Sequence, residues 1–167
     1  NDNGVIRWTA LVLIALMMFF AYMFVDVLSP LSTLLETSKG WSAETYGTFC
    51  SSEYFLNVFA FFLIFAGIIL DKMGIRFTGI LSGAVMVIGA SIKLYAISDF
   101  FTPDSGLYRF LDSFWTSFPA TAKLASIGFM IFGCGVEMGG VTVSNSIAKW
   151  FKGKEMALAM GLEMAIA

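Results

Sequence analysis

Apolar residues run along this chain in five long blocks, separated by short polar breaks. The first runs from Trp8 to about Leu35, interrupted only by Asp26 and Pro30. The second covers about 46–70, the third about 77–97 and the fourth about 119–150. A fifth starts at Met156 and reaches Ala167. A bilayer core takes about 20 helical residues at about 1.5 Å each, so the first four blocks are predicted as spans and the fifth as the start of one. The expected fold class is all-α, a polytopic membrane bundle of at least four crossing helices. Because the fifth block is too short to cross, the chain is expected to be part of a longer one.

The breaks carry matching chemistry. Lys39-Gly40-Trp41-Ser42 separates the first block from the second, with Ser42 as the expected cap of the next helix. Pro119 is expected in the first turn of the fourth helix, where a missing N–H costs little. Within the polar stretch 98–118, Leu107, Phe110, Leu111, Phe114 and Trp115 share one helical face while Arg109, Asp112, Ser113 and Thr116 take the other. That pattern predicts a short amphipathic helix, either lying among headgroups or packed as a lid on the helix ends.

Composition narrows the classes. Of 167 residues, 58% are hydrophobic and 13% charged, with a mean hydropathy of +0.82. A soluble domain carries roughly 25% charged residues to face water, so lipid is the expected solvent. The net charge of −2 and the lack of any basic tail exclude nucleic acid as an expected partner. The chain contains no histidine, and its two cysteines, Cys50 and Cys134, lie in apolar runs. No metal, cofactor or catalytic constellation is therefore expected, and a membrane enzyme is the weakest functional reading. With the N-terminus inside, Arg7, Lys72, Arg76, Lys149, Lys152 and Lys154 are cytoplasmic, against Lys39, Arg109 and Lys123 outside, with Lys93 within the third span. That bias predicts a cytoplasmic N-terminus. The membrane itself is expected to be a bacterial inner membrane or a eukaryotic plasma or organelle membrane.

Acids at membrane depth are costly, roughly 2.5–3.5 kcal/mol for a central Asp, so each is a candidate for function. Glu137 lies near the middle of the fourth span among Gly133, Gly135, Gly139 and Gly140, with Ser144 and Asn145 two turns along a similar face. Asp26 shares a face with Tyr22 and Ser29, just before Pro30. Two readings of Asp26 stay open, a path-lining acid and one hydrated near the outer interface. Glu53 and Asn57 stand one turn apart on the second span, either on the path or as interhelical glue. Lys93 is expected to snorkel or to neutralise one of the acids.

Between the second and third spans the sequence reads Gly67-Ile-Ile-Leu-Asp71-Lys72-Met-Gly74-Ile75-Arg76. Gly74 suits a tight turn with positive φ, and Asp71 suits a helix terminus or a cation. The segment resembles the signature loop of the major facilitator superfamily, with Gly67, Asp71, Lys72, Gly74 and Arg76 matching and Ile75 standing where a cation is usual. The resemblance implies the partial N-terminal six-helix half of a twelve-helix fold, with a C-terminal half as its partner. It also implies that the 67–76 loop is a cytoplasmic gate latch, and that the first and fourth helices line a shared cavity. That places Asp26 and Glu137 across one space. In the family an Arg often stands four residues before a Gly-x-Gly; here Gly133-Cys134-Gly135 follows Phe129 instead, which weakens any proton-coupling role implied by that arginine. The entry to the fifth helix, Trp150-Phe151-Lys152-Gly153-Lys154-Glu155, is similar in wording to the branch that includes lysosomal dipeptide transporters and bacterial relatives.

The resemblance implies a transporter working by alternating access on a small organic solute, such as an amino acid or dipeptide. The expected path residues are Tyr22, Asp26, Glu53, Asn57, Glu137 and Asn145. Symport and uniport both remain open, because the Glu-x-x-Glu-Arg run of proton-coupled peptide carriers is absent from the first helix. A receptor or complex subunit that keeps the fold without transporting is the alternative.

Overall fold

A computed structural model describes residues 3–167, all of whose regular elements are helical. Helix α1 spans Gly4–Asp26, followed by a 3₁₀ turn at Ser29–Leu31 and α2 at Ser32–Lys39. Then come α3 (Ala43–Phe59), α4 (Phe62–Ile97), α5 (Gly106–Asp112), α6 (Ala120–Trp150) and α7 (Met156–Ile166). Among the described residues three segments are long and apolar enough to cross a membrane, Gly4–Lys39, Phe62–Ile97 and Ala120–Trp150.

The first predicted block divides where Pro30 sits. Proline lacks the N–H that would continue the ladder, so α1 ends at Asp26 and the chain re-enters helix through the 3₁₀ turn. Gly40, with φ 69°, then ends α2, and Ser42 accepts the amide of Thr45 at 3.1 Å to start α3, as its sequence predicts. The second predicted block, 46–70, is cut at Ala60–Phe61, where Phe61 takes a left-handed φ of 51°. Helix α3 is therefore 17 residues and does not reach the length of the other three, so four crossing helices by length become three. The 67–76 segment is likewise not an open loop. It is helical on both sides of one break at Gly74, whose φ of 82° and ψ of 170° are open to glycine and strained for other residues.

Helix α6 is the axis of the bundle. In its apolar 18-residue stretch 67% of residues are buried, against 28% in the corresponding stretch of each of the other two. Small residues let its neighbours approach to backbone contact. A methyl group at Gly89 of α4 would strike the Phe132 amide and come within 2.7 Å of the Gly128 carbonyl. One at Gly135 would meet the Ser82 carbonyl at 2.9 Å. These contacts run α4, beyond Gly74, antiparallel to α6. On another side α3 runs parallel to α6. Trp41 donates to Thr121 at 3.0 Å, Phe49 stacks on Phe129 with centroids 4.9 Å apart, and Glu53 abuts Gly133. Helix α1 closes against α6 through Leu11, Met18, Val143 and Ile147, and Trp8 meets Phe151 edge-on at 4.9 Å.

Helix α5 is held from below. Lys123, counted in sequence as an outer loop charge, is only 5% exposed and donates to the Leu111 carbonyl at 2.5 Å and to that of Phe114. Leu111 packs into the core, while Leu107, Phe110, Phe114 and Trp115 are exposed. The helix is thus a lid packed on the bundle end that still shows an aromatic outer face.

Candidate functional site

The acids converge although they come from separate helices. Asp26 is the last residue of α1, Glu53 sits in the third turn of α3 and Glu137 lies mid-way along α6. Glu53 is within electrostatic range of both Glu137 and Asp26, and also of Lys93. What brings Glu53 there is the absence of a side chain at Gly133. The Glu53 backbone oxygen and its Cγ occupy the space where a Cβ would stand. The three acids differ in exposure. Asp26 is exposed, Glu137 half-buried and Glu53 buried at 5% exposure.

Along α3, Tyr46, Cys50, Glu53 and Asn57 follow the i, i+4, i+7, i+11 spacing of one face. Tyr46 is within reach of Ser29, Cys50 and Asp26, and Tyr54 neighbours all three acids. The amide nitrogen and oxygen of Asn57 are both buried without a hydrogen-bond partner. Tyr46, Cys50 and Tyr54 are site neighbours that sequence reading passed over. The spacing of 46, 50, 53 and 57 is visible in the sequence, but their proximity to α1 needs the fold.

The remaining expected residues are dispersed. Tyr22 and Asn145 are exposed, as is Ser144, and Asn145 stands about two turns along α6 from Glu137. Gly67 is half-buried, whereas Asp71, Lys72, Gly74 and Arg76 are exposed around the Gly74 break. Glu163 is half-buried on α7.

Lys93 does not snorkel. It is 4% exposed, and its ammonium donates to the Phe24 carbonyl at 2.9 Å. That carbonyl belongs to the last turn of α1, where helix carbonyls lack intrahelical partners. The same ammonium lies 4.4 Å from the Phe129 ring centroid and 5.1 Å from that of Phe132. So Phe129, standing where the family resemblance expects a cation, receives one from α4 on its ring face.

Two cavities flank these helices. One of about 660 Å³ lies between α1 and α4, lined by apolar groups such as Phe20, Phe24 and Val87, with Lys93 as its charged residue. The other, about 380 Å³, lies under α5 and is lined by Thr48, Ser52, Ser126 and Lys123 among aromatic residues. Neither is lined by Asp26, Glu53 or Glu137; the seam these acids define is the electrostatic link of Glu53 to the other two. Among the described residues no group of three or more Cys, Asp or Glu is placed to hold a metal ion.

No known protein family, curated protein or solved structure matches the chain. The arrangement itself defines the class, an all-helical bundle with three helices long and apolar enough to cross a membrane.

Proposed function

We propose that this chain forms one wall of a solute path in an alternating-access transporter of the major facilitator type, spanning the membrane with its N-terminus in the cytoplasm. The observation that carries the proposal is the placement of buried Glu53 within electrostatic range of both Asp26 and Glu137, the three acids coming from separate helices. Each acid is expensive at membrane depth, and placing three together multiplies that cost unless a cation offsets it. A solute with an amino group, amino-acid-like or dipeptide-like, supplies that cation. In this reading Glu137 and Asp26, the two more exposed acids, meet the solute, while buried Glu53 sets the field behind them. A second bundle forms the opposite wall, and rocking of one against the other moves the site between the two sides. The break at Gly74, with exposed Asp71, Lys72 and Arg76 around it, is the latch that the second bundle engages.

The test is uptake of radiolabelled amino acids and dipeptides into proteoliposomes holding the full-length protein. Wild-type vesicles accumulate or equilibrate one of these solutes, and Glu137→Gln is expected to lower the rate at least tenfold. Unchanged uptake in Glu137→Gln would reduce that residue to a packing role. Solute binding without uptake would favour a receptor.

A further inference from the structure

Lys93 carries its ammonium into the bundle, and its two kinds of partner supply no formal countercharge. A carbonyl oxygen and the faces of Phe129 and Phe132 orient the ammonium through partial charges; none carries a formal negative charge. One of its three N–H donors is taken by Phe24. An unneutralised ammonium at 4% exposure is costly to hold, so its field must be offset by an acid nearby. Glu53 of α3, buried against Gly133 of α6 at 5% exposure, is within electrostatic range of it. The Cys50 sulfur, one turn before Glu53, lies in the same field.

We propose that Lys93 is the built-in counter-cation of the acid seam, a positioning residue that weakens the seam's attraction for cations and fixes the end of α1 against α4. The inference rests on the seam being a cation site, as proposed above. Its consequence is a tuned affinity. With Lys93 present, Glu53 at the centre of the seam is partly balanced, so a cationic solute is drawn in and still released. Without it, the seam holds cations more tightly, and the last turn of α1 loses the donor that satisfies Phe24.

Cys50 supplies the probe. With Cys134→Ala it is the sole thiol of a chain that has two cysteines. Two methanethiosulfonate reagents of similar size, one bearing a trimethylammonium and the other a sulfonate, report the local potential through the ratio of their rates. Taking the ratio cancels changes in the reactivity of the thiol itself. The parent is expected to favour the cationic reagent, and Lys93→Met to raise that preference about tenfold, the scale of one unit charge acting over several ångströms in a partly shielded site. Lys93→Arg keeps the charge and is expected to keep the parent ratio. Should Lys93→Met fail to fold, Lys93→Met combined with Glu53→Gln removes both charges and is expected to restore folding and a near-parent ratio. A parent that prefers the anionic reagent, or neither, overturns the cation seam and this inference with it. A cationic preference that Lys93→Met leaves unchanged, or a double variant that restores nothing, overturns the Lys93 assignment alone.

Discussion

At position 133 the side chain can be no larger than a hydrogen atom. A methyl group there would occupy the space of the Glu53 backbone oxygen and sit 2.9 Å from its Cγ. Gly133→Ala is therefore expected to push α3 off α6 and to lower stability by about 1–3 kcal/mol, the usual range for overpacking. Gly140, seven residues on, has nothing within 4 Å of the same methyl position. Gly140→Ala should stay within about 0.5 kcal/mol. Thermal unfolding of the two variants in detergent checks the contrast, and equal shifts would deny the close approach at Gly133. The glycines around Glu137 were legible in sequence as permission for close packing. Which helix uses which glycine was not, because the pattern on α6 allows contact on every side. The structure assigns Gly133 to α3 and Gly128 and Gly135 to α4. Lys93 was harder to read. Its position near a span end suggests snorkelling, and only the end of α1 arriving beside it, with Phe24 presenting a carbonyl, makes an inward course favourable.

Helices that depend on a local signal follow their sequence closely, and those that depend on a neighbour do not. Pro30, Gly40, Ser42 and Pro119 each mark a boundary that the fold respects within a few residues. The break at Ala60–Phe61 has no such mark. Nothing in Val58-Phe59-Ala60-Phe61-Phe62 disfavours helix strongly, and a left-handed phenylalanine is itself unfavourable by roughly 1–2 kcal/mol. Helix α5 is the opposite case, an element too short to persist alone. The Leu111 carbonyl in its last turn and that of Phe114 just beyond are met by Lys123 from the first turn of α6, so a charge on one element completes another. Lys123→Met should free the 98–118 segment while α6 stays helical. Hydrogen exchange of amides 106–112 is expected to speed up at least tenfold, with amides in the centre of α6 unaffected; equal protection in both proteins would mean that α5 is held by Leu111 and its neighbours alone.

Across the whole bundle, two of the basic residues that charge bias assigns to opposite sides of the membrane have partners at different helix ends. Arg7 lies over the Phe151 ring at 5.0 Å, and Lys149 and Lys152 flank that phenylalanine in the chain. At the other end Lys39 pairs with Asp99 at 3.2 Å, and Lys123 sits under α5. In a cysteine-free background, Lys72→Cys is expected to react with an impermeant maleimide only from the cytoplasmic face of sealed vesicles; reaction from the outer face alone would invert the topology. The helical class, the apolar blocks, the proline and glycine breaks and the acids within apolar runs are legible in sequence, because each depends on hydropathy, on one residue's backbone or on a charge among apolar neighbours. The placement of Glu53 within range of Asp26 and Glu137, and the burial of Lys93 between the end of α1 and the Phe129 and Phe132 rings, were decided by the packing of α1, α3 and α4 around α6. Electrostatic range is a distance in space, and residues 27 and 84 positions apart in the chain are brought within it only when glycines let the helices close.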